Sequence, residues 1–206
     1  MPRLPASPPA RPSIVLVTLD TVRADHLGAY GWRWARTPNL DALAARGTRF
    51  TRCDTAAPLT LPSHASLMTG VYPFRHGARD NAGFVLGASI PTLADLLGRS
   101  GYDTGAVVSA VVLRKNTGIA RGFRVFDDDL GAGFEAGTIV PERQAEAATD
   151  AALRVLRGLR EPFFLWVHYF DPHDEYRPPP RFRDTMRGPT PLYDGEIAYV
   201  DEQLGR

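Results

Sequence analysis

The stretch Ile14-Val-Leu-Val-Thr-Leu19, ending in Asp20, constrains this chain more than any other segment. A continuous apolar, β-branched run suits a strand covered on both faces, the kind found in parallel sheets between helices. The rest of the chain alternates in keeping with that. Thr37 as N-cap and Pro38 at the first position predict a helix through Ala45, with Gly47 just past its end. Thr48–Asp54 reads as a second strand. Helices are expected over Ser63–Thr69, closed by Gly70, and over Pro91–Arg99. Tyr102–Ser109 and Pro162–Tyr169 read as strands. Between them Pro141–Leu159 is the longest expected helix, with Val155, Leu156 and Leu159 on its buried stripe. Asp171–Pro191 reads as a proline- and arginine-rich loop. Tyr193–Arg206 has the pattern of a helix still in progress, so the sequence is expected to be a fragment. Strands alternating with helices predict an α/β/α sandwich around a mainly parallel sheet. In such sheets ligands bind beyond the carboxyl ends of the strands, where Asp20 and the loop after Tyr169 fall.

Composition narrows the function. The 206 residues are 44% hydrophobic and 23% charged, ample for a core, and the net charge of +1 calls for no nucleic acid. No apolar run approaches the roughly 18 residues of a membrane span. Residues 1–12 read as a disordered lead-in without the apolar centre of a signal peptide, and residues 13–206 as one domain. The default compartment is cytoplasmic, or periplasmic if the N-terminus is incomplete. The single cysteine, Cys53, excludes an internal disulfide. With Lys115 the only lysine, anion contacts fall to arginine, whose planar fork binds two oxygens at once.

The chemistry concentrates in Ala57-Pro-Leu-Thr-Leu-Pro-Ser-His-Ala-Ser-Leu-Met-Thr-Gly70. Thr60 stands just ahead of a helix, where free backbone N–H groups and the positive dipole end favour a tetrahedral anion. A threonine hydroxyl is a weak nucleophile, so it needs a base or a metal, and Asp20 can supply a carboxylate. A second reading stays open, with Thr60 only an N-cap and Asp20 only a turn residue.

Several ordered blocks resemble the sulfatases, within the alkaline phosphatase superfamily. They are Ile14–Asp20 with Arg23-Ala-Asp-His-Leu-Gly-Ala-Tyr-Gly31, then Thr37–Phe50, Thr60–Gly70, Tyr72-Pro-Phe-Arg-His-Gly77, and His168-Tyr-Phe-Asp-Pro-His173. The resemblance runs from about Ser13 to the last residue. It implies an alkaline-phosphatase-like fold, of which this sequence is expected to be the N-terminal portion, and hydrolysis of a sulfate or phosphate ester on a small molecule or glycan. It further implies Asp20 as a ligand of a divalent ion (Ca, Mg, Mn or Zn), held only in the complete protein, Thr60 as nucleophile and His64 beside it. The resemblance favours His173 as a substrate contact or proton donor to the leaving group; Arg79 and Asn81, which follow the nucleophile block, read either as substrate contacts lining the pocket or as a solvent-facing turn.

The departures from the family pattern carry as much information. The signature Cys/Ser-x-Pro-x-Arg is here Thr60-Leu-Pro-Ser-His64. Threonine is not oxidised to formylglycine, so no formylglycine is expected and Thr60 would attack directly, as in phosphodiesterases and phosphotransferases of the superfamily. The Gly-Lys-x-His block is missing around Val108–Asn116, and Arg114 and Lys115 read as solvated turn residues. Asp20 is followed by Thr21 rather than a second aspartate. The downstream Ser-Asp-His/Asn-Gly block does not occur. A non-catalytic remnant that binds an anion, and a phosphotransferase acting on lipid or glycan headgroups, are therefore carried as alternatives. His168 is expected to pack in the core, His76 to be structural, and Asp127-Asp-Asp129 to be a solvated acidic turn.

Overall fold

The computed structural model describes residues 11–131 and 142–206. Residues 1–10 of the predicted lead-in over residues 1–12, and the predicted helix start at Pro141, lie outside the described residues. Four strands form one all-parallel sheet in the order β1-β4-β2-β3: β1 Ile14–Leu19, β2 Asp103–Val107, β3 Val125–Asp127 and β4 Phe163–Tyr169. The helices are α1 Pro38–Arg46, α2 Thr60–Thr69, α3 Pro73–His76, α4 Leu93–Arg99, α5 Ala145–Arg157, α6 Pro180–Arg183 and α7 Pro191–Leu204.

Period-two alternation along β4 divides the core. Phe164 and Trp166 face one side, with Leu61, Ala65 and Met68 of α2 and Ala94 of α4. Leu165, Val167 and Tyr169 face the other, with Ala145, Ala148, Ala151 and Ala152 of α5 and Tyr199 and Val200 of α7. The result is the expected α/β/α sandwich. Alanine lines α5 because the helix lies close to the sheet. At Gly105 of β2 an added Cβ would come within 2.8 Å of Val155, so only glycine permits that approach.

Three expectations change. Thr48–Asp54 forms no strand; the segment is exposed and pairs with nothing in the sheet. Its only large apolar side chain, Phe50, is exposed, so it has no buried face to hold it against the sheet. β3 was not anticipated, being three residues that pair only with β2. The helix expected over Pro141–Leu159 is α5, shorter at both ends, and α7 with 14 residues exceeds its 13. Val155, Leu156 and Leu159 are half-buried at the rim of the core, and the alanines are fully covered.

Candidate active site

Parallel pairing sets β1 and β4 side by side, with Thr18 opposite His168 and Leu19 opposite Tyr169. The Asp20 N–H still donates to the Tyr169 carbonyl at 3.0 Å, which fixes Asp20 at the carboxyl end of the sheet. Thr21 then turns the chain away with φ +54°, an uncommon left-handed conformation for a branched residue. The Thr21 N–H donates to Asp20 Oδ1 at 3.0 Å, and the Thr21 hydroxyl donates to the Pro172 carbonyl in the loop after β4. Strand tip and loop are thereby tied together.

Thr60 is the first residue of α2 rather than the residue ahead of it, and it is buried. Its hydroxyl does not cap the helix. Asn81 does so from another segment, its Oδ1 accepting the Leu61 N–H at 2.9 Å. The Thr60 hydroxyl is left free to donate to Asp20 Oδ2 at 3.0 Å. The reading of Thr60 as a mere N-cap is set aside by this pair of contacts. Asn81, expected to meet substrate through its amide, spends its carbonyl oxygen on the helix and keeps its N–H groups.

His64 lies one turn further along α2, packed edge-on against His168 with ring centroids 4.9 Å apart. Its Nδ1 is 2.7 Å from the Thr60 carbonyl. A carbonyl only accepts, so Nδ1 carries the proton. Burial pushes the His64 pKa down to about 4, so the ring is neutral at physiological pH and its Nε2 is a lone pair. In this state His64 offers an acceptor at the position where the family signature has a cationic arginine, and it cannot replace that charge.

His168 corrects the sequence reading. It is fully buried, as expected, but its Nε2 is 3.5 Å from Asp20 Oδ2 and belongs to the site. Burial raises the Asp20 carboxyl, yet hydrogen bonding to His168, the neighbouring imidazoles and the Thr60 hydroxyl outweigh it, and the group sits below its ordinary value. Asp20 is thus an ionised acceptor facing the threonine O–H.

The other candidates are placed apart from this cluster. His173 stacks on Phe170 with centroids 4.3 Å apart, and its Nδ1 donates to the Asp174 carbonyl at 2.9 Å. Arg79 is exposed. His76 is structural as expected, buried between the Ser66 hydroxyl and the Ala78 N–H. The acidic turn is paired rather than free: Asp127 with Arg143, and Asp128 with Lys115. An open groove of about 730 Å³ reaches His64 between the end of β1 and the exposed 53–56 segment, with Cys53 and Asp54 on its far wall.

Sequence reasoning missed the brace behind the Asp20 loop. Tyr193 of α7 donates its hydroxyl to the Thr21 carbonyl at 2.7 Å and accepts the Arg23 N–H at 2.9 Å. Beside it the buried Asp194 meets His26 Nδ1 at 2.7 Å and accepts the Trp32 N–H at 3.2 Å. The only signal was three separated aromatic and imidazole residues, which sequence order does not bring together.

A parallel sheet between helix layers gives the chain an alkaline-phosphatase-like fold. A solved protein of the alkaline phosphatase superfamily from Vibrio parahaemolyticus superposes with a TM-score of 0.71 at 22% identity, over 95% of this chain and 49% of that one. The chain belongs to the sulfatase family, whose model matches residues 12–206. It is 29% identical over 181 residues to an N-acetylglucosamine-6-O-sulfatase of Bacteroides thetaiotaomicron, covering 83% of this chain and 32% of that protein. It is 26% identical to BT4656, solved in complex with its substrate D-glucosamine-2-N,6-O-disulfate, at a TM-score of 0.70 over 84% of this chain and 37% of that one. The chain therefore spans about a third of the length of these two sulfatases.

Proposed function

We propose that this chain is the nucleophile-bearing part of a sulfatase-family hydrolase that cleaves a sulfate ester on a sugar. The observation that carries the reading is the 3.0 Å contact from the Thr60 hydroxyl to the ionised Asp20, made possible because Asn81 caps α2 in its place. Thr60 Oγ attacks the sulfur, and its proton passes to Asp20 Oδ2 as the bond to the ester oxygen breaks. The released alcohol takes a proton, for which His173 in the adjoining loop is the candidate donor. Water then attacks the sulfur and gives one proton to His173, the sulfur–Oγ bond breaks to release hydrogen sulfate, and Thr60 Oγ takes its proton back from Asp20. The sugar substrate rests on the similarity to sulfatases that act on sulfated glucosamine.

Members of the family generally use a divalent metal. Among the described residues no group of three or more His, Cys, Asp or Glu side chains can hold one, and Asp20 is a single ligand. The residues present do not make up such a shell, so no step is routed through an ion. Phosphate esters form the second reading, favoured because Thr60 is an unmodified alcohol where the family has formylglycine.

The test is Thr60→Ala in the full natural protein, assayed on glucosamine 6-sulfate and on aryl sulfate, phosphate monoester and phosphodiester substrates. Loss of at least about a thousandfold in kcat is expected for the true substrate class, as for removal of a nucleophile. Unchanged hydrolysis of all four would refute the proposal.

A further inference from the structure

His168 has no part in the scheme above, yet two of its contacts fix what its ring can do. The Ser109 backbone N–H donates to His168 Nδ1 at 3.3 Å, and a backbone amide can only donate. Nδ1 therefore holds the lone pair and Nε2 holds the proton. Ser109 grips the same residue a second time, its hydroxyl donating to the His168 carbonyl at 2.7 Å. The ring is fully buried, Nε2 has no formed hydrogen bond among the described residues, and Asp20 Oδ2 lies 3.5 Å from it, slightly longer than a hydrogen bond. That oxygen is the one that accepts the Thr60 hydroxyl. His64, packed edge-on against His168, holds the opposite tautomer, with its proton on Nδ1.

We propose that His168 is a positioning residue: locked by Ser109 as an Nε2–H donor, it orients the Asp20 carboxylate so that Oδ2 faces Thr60. The inference rests on the reading of Asp20 and Thr60 as the reacting pair. Its logic is that of a donor behind a working carboxylate, whose removal typically costs 10–100-fold in activity. Thr21 holds the other carboxylate oxygen from the backbone and the Thr60 hydroxyl meets Oδ2 from α2, so His168 is the third group on the carboxylate and the one that approaches Oδ2 from β4.

Two substitutions separate positioning from packing. In His168→Asn the amide reaches the Nδ1 position and keeps the Ser109 bond, but has nothing at Nε2. In His168→Gln the amide nitrogen reaches the Nε2 position and keeps the donor toward Asp20. Steady-state kinetics on the full natural protein, with the substrate that Thr60→Ala identifies, should show kcat of His168→Asn down about 10–100-fold with KM within about threefold, and His168→Gln restored to near wild type. Equal kcat in His168→Asn and wild type would overturn the proposal. A readout independent of turnover is the ¹⁵N tautomer of each imidazole by NMR. His168 should be protonated on Nε2 and His64 on Nδ1, and Asp20→Asn should shift the His168 Nε2–H resonance. Protonation of His168 on Nδ1, or a resonance indifferent to Asp20→Asn, would also overturn it. A failure of the Thr60 assay alone would instead refute the proposed function and leave the tautomer result standing.

Discussion

β1 and β4 are neighbours in register, from Ile14 opposite Phe164 to Leu19 opposite Tyr169, and both are nearly unbroken apolar runs. Their fates differ. In β4 every residue after Phe163 is buried, whereas in β1 Ile14 is 37%, Val15 55% and Val17 37% exposed. β4 has strands on both sides and helices on both faces. Among the described residues β1 lies at the sheet edge and pairs with β4 alone. Composition alone made them equivalent; place in the sheet made one the centre of the core and the other a carrier of Asp20 with an open apolar flank. The site forms where the two strands end, with Asp20 following β1 and His168 near the end of β4.

The comparison breaks most visibly at Trp166. It is fully buried at the centre of β4, and its indole N–H reaches across to the Thr18 hydroxyl of β1 at 3.0 Å. Trp166→Ala should lower stability by about 3–5 kcal/mol in denaturant titration, because a large cavity opens that helices on both sides cannot fill. A loss below about 1 kcal/mol would mean that β4 is not the centre of the core.

Much of this division was legible beforehand and part was not. Hydrophobic runs located β1, β2 and β4, and the helix signals around Thr60 and Gly70 located α2. Burial of His168 followed from its place on a strand. Its closeness to Asp20 did not, because that depends on the register of two strands about 150 residues apart. Asn81 resembled a substrate ligand since nothing local shows that Thr60 leaves its own helix uncapped. Thr48–Asp54 had β-branched and aromatic residues but buries none of them, which only the assembled sheet decides.

The buried side also carries the larger pH dependence. Glu196 of α7 is 5% exposed; Oε1 accepts the Arg177 N–H at 2.5 Å and Oε2 has no partner. Burial, together with Asp171, Glu142 and Asp174 nearby, pushes its pKa up to about 8. An acid whose folded pKa is raised contributes stability that is present in full below its unfolded value near 4.5 and is lost as pH rises through about 8. Thermal melts of wild type should therefore fall between pH 6 and 9, by about 3 kcal/mol in stability, and Glu196→Gln should flatten that slope. Parallel slopes in both proteins would place the alkaline loss elsewhere.

The Tyr193 brace links the two sides, since it joins α7 to the loop that follows β1. Tyr193→Phe removes one donor and one acceptor while keeping the ring. It should cost about 1–2 kcal/mol and leave melting cooperative. A neutral result would mean that the Asp20 loop holds its shape without α7.

The smallest effect is expected at the open flank, and it sharpens the contrast most. Val15 is more than half exposed, so Val15→Thr removes little burial and keeps β-branching. Its stability change should stay within about 0.5 kcal/mol, against several for Trp166 one residue along from its partner Leu165. Hydrogen exchange offers the matching measurement. β4 amides should exchange only through global unfolding, whereas β1 amides that face away from β4 should exchange orders of magnitude faster. If β1 proved as protected as β4, or if Val15→Thr cost more than about 1 kcal/mol, the apolar flank would be covered in solution. The exposure of Ile14, Val15 and Val17 would then mark a contact surface rather than a free edge.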